Sequence, residues 1–249
     1  MTLTQEQIDF FSENGYLPYG KILSDGELET LRAEYDRTFE NAFESGGFNN
    51  LSAETGADLE AKQAAPRQML QIMQMCERSL PFRRLLYQDR ILDIVQDLIG
   101  PNIMLFHDQA LFKPARTGGP ITWHQDNAYW KCAPANLISC WLTLDDVVRE
   151  NGAMQVLPGS HHKPIWYDPS DTTILLDSEK YVDTSKAVVV DLPAGGCMFH
   201  HCQTLHSTEP NTTPQQRRAF AIHFMPPGTS HLDQPLPVGF SHPMLRMRV

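Results

Sequence analysis

The sequence predicts a mainly β fold, a sandwich or jelly roll with flanking α-helices packed on its outside. Two observations carry this expectation. Up to Pro101 the chain reads as capped amphipathic helices, and beyond it short β-rich runs follow one another, separated by Gly, Pro and Asn. Helices first and strands afterwards, without alternating βα units, argue for one β core with helices laid against it. A chain of 249 residues with 41% hydrophobic content can bury one proper core. No repeat or linker interrupts it, so we expect a single domain over 1–249: a mostly helical part, 1–100, packed on a β core, 101–249.

The elements follow in order. Thr4-Gln5-Glu6-Gln7 is a capping box, in which the Thr4 hydroxyl and the Gln7 amide satisfy orphan N–H groups ahead of a short helix that Gly15 ends. Ser24-Asp25-Gly26-Glu27 repeats the signal. Leu28, Leu31, Tyr35, Phe39 and Phe43 then mark one face of a longer helix, stopped at Gly46-Gly47. Residues 48–66, polar and Gly/Ala-rich, read as a loop. The segment 68–75 fits a strand and a helix equally, and its Met69, Met73 and Met75 suit adaptable packing. A third helical region runs through Phe82, Leu85, Leu86, Ile91, Leu92, Val95 and Leu98, closed by Gly100 and Pro101. The β runs are 103–113, 121–124, 137–144, 153–157, 187–191, 197–200 and 217–225. In the last, Arg218, Phe220, Ile222 and Phe224 alternate with Arg217, Ala219, Ala221 and His223. The Phe220, Ile222 and Phe224 face belongs against hydrophobic neighbours. The other leaves space beside an Arg, which suits a carboxylate ligand held by two parallel hydrogen bonds.

Composition narrows the partners. Lys+Arg 20 against Asp+Glu 30 gives a net charge of −10, which argues against nucleic acid or an anionic membrane surface. Cys76, Cys132, Cys140, Cys197 and Cys202 contain no C-x-x-C pair and are odd in number, as expected in a reducing compartment. The N-terminus carries neither a basic nor an apolar targeting region, and no apolar run approaches the ~18–20 residues of a membrane span. The expectation is a cytoplasmic monomer or homodimer acting on a small molecule.

The chemistry centres on His124-Gln125-Asp126. On an extended strand, side chains at i and i+2 point the same way, so one imidazole and one carboxylate can share a cation. A second His from a distant strand completes a two-His, one-carboxylate set, which leaves about three positions of an octahedral ion open. His200, His201 and His206 are the candidates for that place. A second copy, His231-Leu232-Asp233, lies in a Gly/Pro-rich tail, and its downstream His242 has no strand-like run behind it. We read it as a solvated loop.

With these residues assembled, the chain resembles the phytanoyl-CoA dioxygenase family, a branch of the Fe(II)/2-oxoglutarate oxygenases built on a double-stranded β-helix, a cupin-like jelly roll. The resemblance runs from Leu3-Thr4-Gln5-Glu6-Gln7 and Asn14-Gly15-Tyr16, through Gly100-Pro101-Asn102-Ile103-Met104 and Trp123-His124-Gln125-Asp126. It continues in Asn151-Gly152-Ala153-Met154 and Leu157-Pro158-Gly159-Ser160-His161, and ends in His206, Asn211 and Arg217. It implies that His124, Asp126 and His206 hold Fe(II), the spacing to Ser207, Asn211 and Arg217 favouring His206. It implies that Arg217, with the Thr208 hydroxyl, clamps the distal carboxylate of 2-oxoglutarate, and that Trp141 and Gln109 line the same pocket. Where much of the family has Gly-Asp this chain has Gly196-Cys197, a change in a turn. Halogenating relatives lack the carboxylate that Asp126 supplies, so halogenation is not expected.

The implied reaction uses O2 and 2-oxoglutarate to hydroxylate an unactivated C–H bond of a small organic substrate, releasing succinate and CO2. Desaturation, cyclisation and epimerisation branch from the same chemistry. A non-redox isomerase or hydrolase on Zn2+ or Mn2+ is the alternative, although it has no need of Arg217. A β domain that has lost its catalysis is a third, disfavoured by an intact ligand triad. His107, Trp123, Tyr129 and His223 are candidate substrate contacts, as are Trp130, Trp166 and Tyr167 at the pocket mouth. The segments 127–136 and 161–185 are candidate lids, and Arg218 reads as a surface or interface charge.

Overall fold

A computed structural model describes residues 2–53, 56–164, 183–232, 236 and 241–248. Trp166, Tyr167, Asp233 and most of the second lid segment lie outside the described residues. Both capping boxes form. Thr4 and Ser24 accept from the N–H of Gln7 and Glu27, whose side chains reach back, at the start of α1 (Gln5–Asn14) and α2 (Asp25–Ser45). Gly15 and Gly46 end these helices at φ 77° and 79°, a left-handed conformation that glycine adopts without a steric penalty.

Three parts of the N-terminal half differ from the sequence reading. Tyr16–Lys21 forms a strand, β1, without a clear alternating pattern of its own, because the edge of the β core pairs with it. The expected loop 48–66 contains β2 (Asn49–Asn50) and α3 (Leu59–Ala64), the latter capped by the Asp58 side chain on the Ala61 N–H. The Met/Gln segment divides into β3 (Leu70–Met73) and α4 (Met75–Arg78). Helices α5 (Leu80–Leu85) and α6 (Asp89–Ile99) complete the helical part.

The β core comprises β4 (Ile103–Lys113), β5 (Ile121–His124), β6 (Cys132–Ala133), β7 (Ile138–Thr143), β8 (Met154–Val156) and β9 (Val188–Val190). It continues with β10 (Gly196–His201), β11 (His206–Thr208), β12 (Arg217–Met225), β13 (Ser230–His231) and β14 (Met244–Arg246). A short helix, α7 (Asp126–Trp130), separates β5 from β6. The larger sheet runs β1-β10-β7-β12-β4-β3-β2, with β14 also on β4; the smaller runs β5-β11-β8-β9. Strand pairing throughout is antiparallel, and the sheets face one another as a jelly roll.

The alternation in β12 sorts as its sequence indicates. Phe220, Ile222 and Phe224 join Cys140, Leu142 and Phe199 in the cluster that meets the helices, where Tyr35, Phe82 and Ile91 cover them. Ala219 and Ala221 face the smaller sheet beside Trp141, Met154 and Val156. Arg218 departs from its reading as a surface charge. It is only 9% exposed, donates twice to Asp145 and once to Asp36 of α2, and so ties a helix to the sheet edge. In the tail, His231 pairs with Cys132, and β14 follows His242, so neither is the solvated loop its composition suggests.

Candidate metal centre

His124 ends β5 and His206 opens β11, and the two are direct register partners across the smaller sheet. That pairing brings residues 82 positions apart in the chain to a ring-centroid separation of 4.2 Å. Asp126 is not on the strand, as first expected, but on the first turn of α7. Gln125 between them stays extended at φ −108°, so the i, i+2 geometry survives the change of element. The three residues present one donor atom each, all within 4.8 Å of one another.

The protons on these groups are fixed by their other contacts. His124 Nδ1 lies 2.8 Å from the Thr122 carbonyl and His206 Nδ1 lies 2.9 Å from the Thr204 carbonyl. A carbonyl only accepts, so both rings donate from Nδ1, and each turns its Nε2 toward Asp126. Asp126 Oδ1 lies 3.7 Å from each Nε2, too far for a hydrogen bond. Asp126 Oδ2 instead accepts from Ser139 Oγ at 3.3 Å and from His200 Nε2 at 3.2 Å. Two ring nitrogens and one carboxylate oxygen therefore converge without hydrogen-bonding to one another, an arrangement that suits a cation. His200, a candidate ligand in the sequence, is occupied with the far side of the carboxylate.

Burial pushes the His206 imidazole down to about 3, assisted by His124 and opposed by Asp126, so the ring is a neutral ligand at ordinary pH. Burial alone would raise the Asp126 carboxyl. The surrounding His206, His200 and His223 outweigh it and hold the group well below the usual carboxylate range.

Beside the triad lies a cavity of about 640 Å³. His124, His206, Thr208, Trp141, Gln109 and Arg217 all border it. Arg217 is 1% exposed, and burial draws its pKa down to about 10, which leaves it charged. Its Nη1 reaches the Leu111 carbonyl at 3.4 Å, and its carbon lies 5.6 Å from the Trp141 ring centre. Among the described residues neither Arg217 Nε nor Thr208 Oγ1 has a hydrogen-bond partner. A buried guanidinium without a carboxylate is costly, and it fits an anionic ligand entering from the cavity.

The sequence-nominated substrate contacts separate. Tyr129 borders the cavity and is half exposed, whereas His107, Trp123 and His223 do not border it. His107 and His223 meet each other and Trp130 edge to face, with burial keeping both neutral. The first lid segment is largely built structure, for Asn127 clamps Cys132 through both ends of its amide. Sequence reasoning missed Lys113, buried beside Arg217, and Ser139. The alternation of Ser139, Trp141 and Thr143 with Ile138, Cys140 and Leu142 carried that signal.

The profile of the phytanoyl-CoA dioxygenase family matches residues 11–219. The peroxisomal phytanoyl-CoA dioxygenase of Mus musculus is 29% identical over 232 residues, covering 89% of this chain and 68% of that protein. EvdO2 of Micromonospora carbonacea var. aurantiaca, solved with 2-oxoglutarate, is 28% identical with a TM-score of 0.70, over 95% of this chain and 96% of its own. The α-ketoglutarate-dependent carbocyclase SnoK of nogalamycin biosynthesis shares the fold, with a TM-score of 0.79 over 97% of this chain and 96% of its own at 22% identity. Matched by that profile over most of its length, and folded as these structures are, the chain belongs to the phytanoyl-CoA dioxygenase family.

Proposed function

We propose that the protein is a non-haem Fe(II)- and 2-oxoglutarate-dependent dioxygenase that hydroxylates an unactivated C–H bond of a small organic molecule. One observation carries the reading: His124 and His206 of the converging triad border the same cavity as Arg217, a buried guanidinium whose Nε has no hydrogen-bond partner among the described residues. His124, Asp126 and His206 hold the iron. When bound, Fe(II) with 2-oxoglutarate and O2 supplies the oxidising chemistry, in which succinate and CO2 leave and a substrate C–H bond is oxidised. Arg217 pairs with the distal carboxylate of 2-oxoglutarate, Thr208 donates to it, and Trp141 and Gln109 wall the pocket against water. An Arg placed for a dicarboxylate has no part in isomerase or hydrolase chemistry on Zn2+ or Mn2+, which sets that reading second.

Among the described residues bordering the cavity, Arg217 is the one Lys or Arg, and the cosubstrate engages it. The remaining wall offers uncharged groups such as Ser52, Gln68 and Gln71, which suit an uncharged substrate better than a polyanionic thioester. No helix of the described residues is long and apolar enough to cross a membrane. Five buried free thiols are consistent with work in the reducing cytoplasm.

Anaerobic addition of Fe(II) and then 2-oxoglutarate tests the assignment through the visible charge-transfer absorption that chelation of the ion by 2-oxoglutarate produces. Asp126→Ala is expected to abolish the band, and Arg217→Ala to weaken 2-oxoglutarate binding by about 2–5 kcal/mol. Parent-like behaviour of both variants refutes it.

A further inference from the structure

Asp126 Oδ2, the oxygen turned away from the triad, is the end of a row of side-chain hydrogen bonds that crosses the larger sheet. Ser139 Oγ lies 3.3 Å from that oxygen and 2.7 Å from His223 Nδ1. His223 Nε2 lies 2.9 Å from Gln109 Nε2, and the Gln109 carbonyl accepts from Gln71. The Gln71 carbonyl accepts in turn from Asn49 Nδ2 at 3.0 Å. From the other side, His200 Nε2 reaches the same carboxylate oxygen at 3.2 Å.

These residues come one from each strand, in the spatial order β2, β3, β4, β12, β7, β10. Asn49 and Gln71, His223 and Ser139, and Ser139 and His200 are direct register partners. Each therefore projects from the inner face of the sheet toward its neighbour.

The direction of every bond follows from its last acceptor. A carboxylate cannot donate, so the Ser139 hydroxyl gives its proton to Asp126 and its lone pair receives the His223 Nδ1 proton. That fixes His223 Nε2 as an acceptor, which requires the Gln109 amide N–H, leaving the Gln109 oxygen for Gln71. The row has one consistent polarity, with each donor oriented by the one before it.

Resting on the functional reading above, we infer that Ser139 and His223 are positioning residues, which with His200 hold Asp126 Oδ2 off the metal so that the carboxylate binds through Oδ1 alone. Partners that orient a metal ligand through its second atom govern both affinity and coordination number. A carboxylate whose second oxygen lost these donors would be able to swing and occupy two positions on the ion, one of which cosubstrate or O2 needs.

Titration of the full chain with Co(II), read through visible bands that follow coordination number, tests this without turnover. Ser139→Ala and His223→Leu are each expected to weaken Co(II) binding about 10- to 100-fold and to alter the bands. His223→Asn places an amide N–H where Nδ1–H stood, and should restore most of both. Because the two residues act in series, Ser139→Ala combined with His223→Leu should be little weaker than Ser139→Ala alone. If His223→Leu does not fold, Ser139→Ala, a small change in a buried site, decides. Affinities within about twofold of the parent with unchanged bands, or His223→Asn as weak as His223→Leu, overturn the inference alone. A parent protein that binds no Co(II) overturns the functional reading itself.

Discussion

At the scale of single residues, two basic side chains, Lys113 and Arg217, share one buried corner, and burial lowers the pKa of both. Lys113 is fully buried, and its Nζ donates to the carbonyls of Thr208 and Glu209. Burial, with the Arg217 charge beside it, pushes this amine down to about 6, against the Glu209 carboxylate that favours its charge. An unfolded chain restores an ordinary lysine near ~10.4. Between these values the unfolded state carries a proton that the folded state has lost, so stability must rise with pH across that window, by up to ~1.4 kcal/mol per unit. Urea unfolding of the metal-free protein between about pH 6.5 and 8, below the range where thiols titrate, should show this slope added to that of the buried imidazoles, and Lys113→Met should lower the slope by up to ~1.4 kcal/mol per unit. An equal slope in both proteins would show that Lys113 stays protonated. The consequence for the site is that Arg217 remains as the fixed positive charge facing the cavity.

At the scale of elements, the end of the first helix reaches the third residue of the triad, His206. The Gly15 carbonyl, at the C-cap of α1, accepts from Thr204 Oγ1 at 2.6 Å and from the His201 N–H at 2.9 Å, and the Thr204 carbonyl in turn orients His206. A Cβ on Gly15 would lie 2.4 Å from His161 Nδ1 and 2.7 Å from Thr204 Oγ1, in a backbone conformation that already costs alanine about 1–2 kcal/mol. Gly15→Ala is therefore expected to lower the melting temperature by at least roughly 2–4 °C and also to weaken metal affinity. A stability loss with unchanged affinity would show that Thr204 holds its place independently. The start and stop of α1 and α2 were legible because Thr4, Gln7, Ser24, Glu27, Gly15 and Gly46 satisfy local hydrogen-bonding needs that any isolated helix has. Strands β1, β2 and β11 were not. They are two to six residues long with no sustained alternation, and their conformation comes from the neighbours that pair with them. The link between Gln71 and Gln109 was opaque for the same reason, since it exists only once β3 lies beside β4.

At the scale of the whole molecule, order along the chain offered His124 and Asp126 with three candidate imidazoles for the third place, and the resemblance favoured His206, which antiparallel pairing makes the register partner of His124. What order could not convey is how the two sheets share the work. The imidazoles hang from the smaller sheet, while Asp126 is tied to Ser139 and His200 of the larger one. Thr208 and Arg217 divide in the same way. Loading with metal at a hundredfold its dissociation constant should stabilise the fold by ~2.7 kcal/mol, and the melting temperature should climb with metal concentration. A melting curve indifferent to divalent ions would contradict this. An ion seated there rivets one layer of the sandwich to the other, and a dicarboxylate laid beside it adds a second fastening along the same seam. The empty protein should then breathe between its layers, exchanging amide protons along β5 and β11, and the reactants themselves would draw the seam shut.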